Sequence, residues 1–502
     1  MGNICCANGI TLSPESKHHS KSAMVLGHSR IVLNRNFNSF DSVYNLEKSK
    51  LGYGSYGDVK LCTDKQLMTC KAVKILNKDY LRTSNIESSW FYSKIDILNR
   101  LDHPLIVRFH EFFEECDFFY LLMDYHQEGD LLKHLKSNFP LKEDKVCSII
   151  YQLLIATAYM HNKKIAHRDL KLENILITTS SGISIKVIDF DTAAYFEGSA
   201  LSGKYGTYHY MAPETMNNFY NEKCDIWSLG VIMYIILTGK TNLPGMSDTQ
   251  CPSNAHQLKL DFSQPLWQKV SAPAKNLLKK LLEKEPLKRL TAVQALNHIW
   301  FQQLSHDNYD TTLNVLDKIF KFNNKPLVKA AKKIILHLRT SKDEITSIEK
   351  AFLYLDKDYD GEIYRDDVFN FYLLRYTNEE AEEYTTEIMR KFCDFADVVV
   401  SYSAFVEVAT DEMALVDSQN LRYLYDLLRY EEVCRNLDVV NKEERILGKE
   451  VLNVNKLSNV FAKAINIDRD AIQIWADYLQ NYKCESLGFE EFSAIVEEGI
   501  SK

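Results

Sequence analysis

Five short motifs follow one another in a fixed order between residues 51 and 214, and each is rich in residues suited to holding phosphate. The first, residues 51–59 with the sequence LGYGSYGDV, fits the pattern GxGxxGxV. A strand-like segment, CKAVKI at residues 70–75, then carries Lys74 among apolar residues. Because an unpaired ammonium group is costly to bury, Lys74 is expected to have an anionic partner such as a phosphate.

Three further motifs complete the series. Residues 167–174 have the sequence HRDLKLEN, residues 186–191 have KVIDFD, and residues 211–214 have MAPE. A glycine-rich loop alone is weak evidence, because it is often only a tight turn. The order and spacing of all five motifs, however, resemble those of protein kinases. The resemblance implies the α+β bilobal protein-kinase fold over residues 44–301.

Phosphoryl transfer depends on positioning and charge neutralisation more than on covalent chemistry, and the resemblance assigns these tasks to particular residues. Asp169 would accept the proton of the substrate hydroxyl, and Lys171 would stabilise the transferring phosphoryl group. Asn174 and Asp189 would hold Mg²⁺, and Lys74 would orient the phosphates. The implied ATP-binding residues are Leu51, Gly52, Gly54, Gly57, Val59, Ala72, Lys74, Met123, Asp124, Tyr125 and Asp130.

Two positions depart from the kinase pattern. Lys94 stands where the family has a glutamate that pairs with Lys74, and Asp191 replaces the glycine after Asp-Phe. Lys94 would either repel Lys74 or extend to solvent while Asp189 alone holds Lys74. If the missing ion pair limits catalysis, Lys94→Glu is expected to raise activity. Asp191 would stiffen the backbone, because it lacks the freedom of glycine, and would add negative charge beside the metal.

Other landmarks of the kinase pattern are retained. Lys171 and Thr207 are similar to the corresponding residues of the serine/threonine branch. Asp225 is expected to be architectural, and Arg289 is expected to pair with Glu214. The resemblance at Lys171 and Thr207 implies a protein substrate phosphorylated on serine or threonine.

Residues 311–340 combine helical apolar spacing with a high density of lysine. The apolar positions are Leu313, Leu316, Phe320, Leu327, Ala331, Ile334 and Leu338. Lysines and one arginine occupy the remaining faces. A basic amphipathic helix of this kind is typical of a ligand for another part of the same chain or for a partner helix.

Residues 356–367 have the pattern of an EF-hand loop. The predicted oxygen ligands are Asp356, Asp358, Asp360, Glu362 and Asp367. Glycine at the sharp turn and isoleucine at the apolar position also fit, which disfavours a merely solvated acidic turn. Aspartate at the last position, where glutamate is usual, weakens Ca²⁺ relative to Mg²⁺. Later candidate loops at residues 393–404, 445–456 and 480–491 have unsuitable side chains at several ligand positions, although the last keeps Glu491, and are predicted to be metal-free.

A kinase domain, a basic junction and four helix–loop–helix units in one chain resemble the calcium-dependent protein kinases of plants and protists. The resemblance covers about residues 44–502 and implies ATP, Mg²⁺ and Ca²⁺ as cofactors. It divides the chain into a basic arm (1–43), the kinase domain (44–301), an autoinhibitory junction helix (302–340) and an all-α, calmodulin-like EF-hand module (341–502). In that family the junction helix occupies the catalytic domain until Ca²⁺ relocates it.

The chain begins MGNICC, which resembles the lipidated start of many such kinases. The resemblance implies myristoylation of Gly2 and palmitoylation of Cys5 or Cys6, although Cys6 replaces the usual hydroxyl residue and a chance Met-Gly start is the alternative. The net charge of −8 argues against nucleic acid as a partner. No apolar stretch reaches the roughly 18 residues of a membrane span, and cysteine usage suggests a reducing compartment. A cytoplasmic, membrane-associated protein is predicted.

Two other functions remain open from the sequence. One is a pseudokinase, a nucleotide-binding scaffold, which Lys94 and Asp191 favour and the retained Lys74, Asp169 and Asp189 oppose. The other is an effector of separate calmodulin through residues 311–340, which the fused EF-hand region opposes. The leading interpretation is a calcium-regulated serine/threonine kinase.

Overall fold

A computed structural model describes most of the chain between residues 35 and 410. The positions it leaves out of that range are 55, 66–68, 180–181, 197–199, 218, 241–242, 245–257, 305–307, 322–341 and 393–398. Beyond residue 410 it describes residues 422, 452–453, 486–487 and 490. Within these residues, no helix is long and apolar enough to cross a membrane.

A six-stranded sheet with spatial order β1-β5-β6-β4-β3-β2 forms the amino-terminal lobe. Its strands are β1 (Arg35–Asn36), β2 (Tyr44–Tyr53), β3 (Gly57–Asp64), β4 (Cys70–Asn77), β5 (Phe109–Glu114) and β6 (Phe118–Asp124). Side chains alternate between the two faces of a strand. On β4, Val73 therefore enters an apolar cluster with Phe40 and Leu122, while Lys74 points to the opposite face. This alternation puts the lysine on the side of the sheet that faces the second lobe.

Three helices complete this lobe: α1 (Phe40–Val43), α2 (Lys78–Thr83) and α3 (Ser88–Asn99). The apolar face of α3 packs on the sheet through Phe91, Ile95 and Leu98, which are buried. The ring of Phe91 stacks on that of Phe119 with a centroid distance of 3.9 Å. This packing anchors α3, on which Lys94 lies, against the sheet.

Residues 35–43, which the sequence predicts to belong to the basic arm, contact the amino-terminal sheet. Residues 35–36 form β1, which pairs in parallel with β5 through Arg35 opposite Phe112. Arg35 also makes an ion pair with Glu114, with Nη2 and Oε2 3.0 Å apart. Residues 35–36 thus extend the kinase sheet, and Phe40 enters its small apolar cluster. The composition of this segment resembles that of the arm, so only its contacts with β5 and the cluster distinguish it.

The second lobe is mainly helical. Its helices are α4 (Leu131–Asn138), α5 (Glu143–Asn162), α6 (Lys223–Thr238), α7 (Ala272–Leu281) and α8 (Ala292–Leu296). Short 3₁₀ helices lie at Leu172–Asn174, Tyr208–Tyr210, Pro213–Asn217, Pro265–Trp267 and Ile299–Gln303. Two antiparallel pairs, β7 (Ile165–Ala166) with β10 (Ala194–Tyr195) and β8 (Ile175–Thr178) with β9 (Ser184–Val187), lie at the face toward the sheet. Because α6 is apolar on all sides, it is buried along nearly its whole length and forms the centre of this lobe.

The predicted pair between Arg289 and Glu214 is present and buried. Arg289 Nη1 and Nη2 lie 2.5 and 3.0 Å from the two carboxylate oxygens of Glu214. Its guanidinium also donates to the backbone carbonyls of Glu283 and Lys223. All sides of a fully buried charge are therefore satisfied, and the contact joins three segments of the helical lobe.

Arg289→Met is expected to destabilise the protein by about 3–5 kcal/mol, because it leaves the Glu214 carboxylate buried without its partner. Chemical denaturation followed by fluorescence measures this change. The neighbouring Lys288 makes only an exposed pair with Glu285, so Lys288→Met is the matched control and should leave the unfolding midpoint nearly unchanged. Equal effects of the two substitutions would contradict the structural role of Arg289.

A third, mainly helical unit follows the kinase lobes. It contains α9 (Tyr309–Lys321), α10 (Lys342–Leu355), α11 (Arg365–Tyr372), α12 (Asn378–Phe392) and α13 (Tyr402–Ala409). The two-residue strands β11 (Glu362–Ile363) and β12 (Val400–Ser401) pair antiparallel between its two loops. Another two-residue pair joins β13 (Leu452–Asn453) to β14 (Ser486–Leu487). One apolar cluster holds this unit together and includes Leu316, Ile348, Phe352 and Phe405.

The described part of the predicted junction helix belongs to this third unit. Helix α9 packs on α10, with Leu316 and Ile319 fully buried among residues of the unit. Lys318, on its exposed side, pairs with Glu344. Residues 322–341, which contain the second half of the predicted amphipathic helix, lie outside the described residues. The interpretation of residues 302–340 as autoinhibitory therefore stays a prediction.

The third unit docks on the helical lobe of the kinase. Ser403 donates through both its backbone N–H and its hydroxyl to Asp102, at 3.0 and 2.7 Å. Lys186 pairs with Glu349 at 2.9 Å. Asn162, in the last turn of α5, donates to two backbone carbonyls of residues 358 and 359. The candidate calcium loop is thus in direct contact with the kinase.

Candidate active site and calcium loop

The glycine-rich hairpin between β2 and β3 lies directly above Lys74. The turn closes through a hydrogen bond from Gly54 N to Gly57 O of 2.8 Å. A Cβ placed on Gly54 would lie 2.8 Å from Lys74 Cε, and one on Gly57 would lie 2.0 Å from the carbonyl oxygen of Ile75. Glycine is therefore required at both positions, because any side chain would displace the lysine or the neighbouring strand.

The residues predicted to line the ATP site from β2, β3, β4 and β6 lie opposite one another on neighbouring strands. In the sheet, Val59 pairs with Gly52 and with Lys74, and Ala72 pairs with Met123. Leu51 lies next to Gly52 on β2. The strand β6 ends at Asp124, so that Tyr125 starts the connection to the second lobe.

Two acidic residues near the hinge are already engaged within the chain. Asp124 Oδ1 lies 2.7 Å from His110 Nε2, and although burial opposes its ionisation, this contact holds the pKa of Asp124 well below its ordinary value. Asp130 caps α4 by accepting a hydrogen bond from Lys133 N at 2.8 Å and pairs with the Lys133 ammonium at 3.0 Å. Asp124 ends β6 and Asp130 precedes α4, and their part in nucleotide binding stays a prediction.

The catalytic residues predicted from the HRDLKLEN motif converge on one carboxylate. Lys171 Nζ lies 2.7 Å from Asp169 Oδ2, and Asn174 Nδ2 donates to the Asp169 backbone carbonyl at 2.9 Å. Thr207 donates to Asp169 Oδ1 through both its backbone N–H and its hydroxyl, each at 2.8 Å. The Thr207 hydroxyl in turn accepts from Lys171 at 3.0 Å. These contacts hold the Asp169 carboxylate in a single orientation.

The loop that carries Asp169 is held by Asp225 on α6. The buried carboxylate of Asp225 accepts the backbone N–H groups of His167 and Arg168, at 2.9 and 2.8 Å. It also lies 3.0 Å from His161 Nε2. Burial opposes ionisation, but these hydrogen bonds hold the pKa of Asp225 below its ordinary value. Arg168 has φ of +68°, a strained conformation for a non-glycine residue, so the Asp225 contact maintains a backbone shape that the sequence alone does not favour.

Two aspartates, and not Asp189 alone, hold Lys74. Its Nζ lies 2.7 Å from Asp189 Oδ1 and 2.6 Å from Asp191 Oδ2. Burial favours the neutral amine, but the two carboxylates outweigh it and hold the pKa of Lys74 above its ordinary value. The expectation that Asp189 acts alone is therefore wrong. The missed signal was Asp191 itself, a carboxylate two residues from a metal-ligand position in a motif that normally has glycine there.

Lys94 neither extends to solvent nor approaches Lys74. It is half-buried, and its ammonium group donates to the backbone carbonyl of Ala193 at 2.7 Å. Burial, with a contribution from Arg168, lowers the pKa of Lys94 to about 8. Its position beside the anchored face of α3 explains the difference, because the Ala193 carbonyl lies within reach and accepts a hydrogen bond from the ammonium group.

The acids of the candidate calcium loop form a compact cluster. Asp356, Asp358 and Asp360 each place a carboxylate oxygen within 4.8 Å of the others. Gly361 turns the chain with φ of +79° and donates its N–H to Asp356 Oδ2 at 3.0 Å. Burial, reinforced by the neighbouring carboxylates, raises the pKa of Asp356 to about 8. Carboxylate oxygens brought together at this cost are the donors that Ca²⁺ prefers, so the residues present fit that ion.

The other two predicted calcium ligands have partners within the chain. Glu362 Oε1 pairs with Lys163 of α5 at 2.8 Å. Asp367 Oδ2 accepts the backbone N–H of Tyr364 at 2.8 Å and so caps α11. The following apolar position, Ile363, is buried and pairs with Val400 across β11 and β12. No local pattern marks Lys163 as a partner of Glu362, because the two residues lie far apart along the chain.

The predicted lipidation residues Gly2, Cys5 and Cys6 lie outside the described residues, and so does the first half, residues 393–398, of the candidate loop at residues 393–404. The loops at residues 445–456 and 480–491 are described only at isolated positions. The structure therefore leaves these predictions as they stood.

Comparison with known proteins agrees with this geometry. The profile of the family "Protein kinase domain" matches residues 45–301. Calcium-dependent protein kinase 4 of Plasmodium falciparum (isolate 3D7) is 32% identical over 396 residues, which cover 75% of this chain and 75% of that protein. Calcium-dependent protein kinase 3 of Plasmodium berghei (strain Anka) is 30% identical over 449 residues, covering 87% of this chain and 77% of that protein.

The fold, the site and the family profile together define a protein kinase. Given the extent of the similarity to these relatives, the chain belongs to the calcium-dependent protein kinases. It is thus an ATP-dependent serine/threonine protein kinase, as its motifs predicted.

Asp169→Asn is expected to lower phosphotransfer at least about a hundredfold, because the amide cannot accept the substrate proton, while leaving the fold intact. The measurement is phosphate transfer from ATP to a basic serine peptide, together with thermal unfolding. Asp144→Asn, which removes the same charge from an exposed position on α5, is the matched control and should retain full activity. Activity of Asp169→Asn equal to that of the control would mean that Asp169 is not the catalytic base.

Proposed function

We propose that the cleft beneath the glycine-rich hairpin binds ATP and that Asp169 directs the substrate hydroxyl to its γ-phosphorus. The observation that carries this proposal is the convergence of Lys171, Thr207 and Asn174 on Asp169, which presents one carboxylate oriented for proton acceptance. Lys171 lies beside the same carboxylate, where its charge neutralises the phosphoryl group as it transfers. The substrate is a serine or threonine of another protein.

Asn174 and Asp189 would hold Mg²⁺, which supplies charge neutralisation on the phosphates. Asp189 has φ of +66°, and its carboxylate lies 2.7 Å from Lys74 Nζ. The absence of a side chain at Gly54 lets the hairpin lie against Lys74, the residue that would orient the phosphates. ATP and Mg²⁺ therefore fit the residues present.

The pseudokinase alternative receives little support from the described residues. Both departures from the kinase pattern are accommodated, since Asp191 binds Lys74 and Lys94 binds a backbone carbonyl. None of the groups required for phosphoryl transfer is displaced by them. An enzyme is therefore the better account than a scaffold.

The third unit is proposed to be a calmodulin-like EF-hand module with one functional calcium loop at residues 356–367. A helix before the loop, a helix after it and pairing of β11 with β12 are the parts of a paired EF-hand. The ligands are Asp356, Asp358 and Asp360 through carboxylates, Glu362 through its backbone carbonyl at loop position 7, and Asp367. Assigning the Glu362 carbonyl rather than its carboxylate follows from the pair that the carboxylate makes with Lys163.

Calcium control through this loop is expected to be weak and graded. Asp367 is shorter than the usual glutamate and already caps α11, so it offers a poorer final ligand. Because affinity in EF-hands depends on ligand charge and rigidity, we expect one weak Ca²⁺ site with Mg²⁺ competing. A ligand shifts an equilibrium only by its differential affinity for the two states, so a single weak site releases the junction incompletely and leaves basal activity.

Calorimetric titration of the full chain with Ca²⁺ is expected to show one weak site that Asp356→Ala abolishes. Asp366→Asn, which changes an exposed acid of the same loop that is not a ligand, is the matched control and should bind as the parent does. Two or more tight sites, or unchanged binding in Asp356→Ala, would show that the degenerate loops bind the metal instead.

Membrane attachment through acylated Gly2 and Cys5 or Cys6 is the further part of the proposal. One acyl chain gives only marginal binding, so a second chain or a basic patch is needed. The amino-terminal segment offers both, because it carries two cysteines and the basic residues Lys17, Lys21 and Arg30.

The double substitution Cys5→Ser and Cys6→Ser is expected to shift the protein from the membrane fraction to the soluble fraction of cells, because one acyl chain alone binds reversibly. Cell fractionation with immunoblotting measures the shift. Cys116→Ser, at an exposed cysteine of the kinase domain, serves as the matched control and should not change the distribution. An unchanged membrane fraction for Gly2→Ala would rule out attachment through this segment.

A further inference from the structure

The ammonium group of Lys74 is buried between two carboxylates of one short segment. The Lys74 side chain is 5% exposed, and those of Asp189 and Asp191 are 17% and 9% exposed. Both acids follow β9, within three residues of each other. Helix α3 contributes no acid to this pair, although it is described throughout, because its Asp96 is engaged by the Tyr195 hydroxyl and Arg100.

Helix α3 is instead joined to the same segment by Lys94. The Lys94 ammonium donates to the Ala193 carbonyl, two residues beyond Asp191, and Ala193 is fully buried. A hydrogen bond from α3 to the segment after β9 therefore replaces an ion pair from α3 to β4.

The charges of these four side chains balance. Lys74 and Lys94 contribute two positive charges, and Asp189 and Asp191 contribute two negative charges. Lys74 and Asp191 are buried, and Lys94 and Asp189 are half-buried. Exchanging only Lys94 for an acid places three carboxylates around one lysine, whereas removing only Asp191 leaves two lysines with one carboxylate. Because uncompensated buried charge is costly, each single change is unfavourable. Lys94 and Asp191 therefore compensate for each other's charge.

We propose that Asp191 positions Lys74, the task that the acid on α3 has in the usual kinase pattern. Lys94, which stands in place of that acid, balances the added negative charge of Asp191. Asp191 keeps the Lys74 ammonium directed at the nucleotide phosphates when Asp189 is engaged with metal. Lys94 keeps α3 against the segment that bears Asp191. This inference rests on the proposed nucleotide site and adds to it the residues that orient Lys74. It also reverses the expectation that Lys94→Glu raises activity, because the ion pair is relocated rather than missing.

The test is a double-mutant cycle in the full-length chain. The variants are Lys94→Glu, Asp191→Gly and the combination of the two, which restores the usual kinase arrangement. Each is measured for ADP binding by calorimetry in the absence of peptide, for kcat and the KM for ATP, and for its thermal unfolding temperature. Asp191→Asn, which keeps the shape and removes the charge, is included because it perturbs folding least.

Each single substitution is expected to weaken ADP binding and kcat/KM for ATP by about ten- to a hundredfold, the range for loss of a hydrogen bond to a charged group. The double variant is expected to recover most of this loss, so that the two effects are strongly non-additive. Asp191→Asn should resemble Asp191→Gly in ADP affinity. A merely structural role for these residues would change the unfolding temperature without recovery of ADP affinity in the double variant.

Losses in the single variants that simply multiply in the double variant, or ADP affinity unchanged in Asp191→Asn, would overturn the proposal. Asp79→Asn, at an exposed aspartate of α2 paired with Arg82, is the matched control and should leave both binding and turnover unchanged. Because ADP binding is measured without turnover, absence of phosphotransfer in the parent would contradict the proposed function while the cycle still decides the role of Asp191.

Discussion

The buried carboxylate of Asp225 is the contact on which the arrangement of the catalytic loop depends. It lies on α6, the most deeply buried helix, and accepts the backbone N–H groups of His167 and Arg168. Because Arg168 has a positive φ, the chain would relax to another shape without this acceptor. The loop then delivers Asp169 to Lys171 and Thr207. Precision at the reacting carboxylate thus originates in the packing of an apolar helix rather than in the loop itself.

Much of this organisation could be predicted from the sequence, because phosphate chemistry restricts which residues serve at each step. The glycine-rich hairpin lies above Lys74, Lys171 and Asn174 contact Asp169, and Arg289 pairs with Glu214, as the spacing of the motifs indicated. The helix–loop–helix around residues 356–367 was predictable for the same reason, since oxygen ligands, a turn glycine and a buried isoleucine must recur at fixed intervals. In each case the local sequence carries the chemistry, and the fold brings the segments together.

Features that depend on distant segments could not be predicted. The two-residue strand at Arg35 forms only because β5 offers an edge, and nothing in the local composition distinguishes it from the preceding arm. Lys94 donates a hydrogen bond to the Ala193 carbonyl, and Lys74 donates one to Asp191, across separations of about a hundred residues. Likewise, the contact of Asp102 with Ser403 joins residues 301 positions apart. For such contacts a sequence shows that a residue departs from the pattern, but not which partner compensates for the departure.

The docking of the candidate calcium loop on α5 has a thermodynamic consequence. Asn162 donates to carbonyls of the loop, Lys163 binds Glu362, and Gly361 lies against the ring of Tyr159, so close that a Cβ there would be 2.2 Å from Cε2. The shape of the loop and the surface of the kinase lobe are therefore one linked equilibrium, and linkage is reciprocal. If docking on the lobe increases the affinity of the loop for metal, metal binding would stabilise the docked lobe against unfolding by the same free energy. A calcium constant determined on the isolated helical unit would belong to a different equilibrium from the one that the whole enzyme obeys.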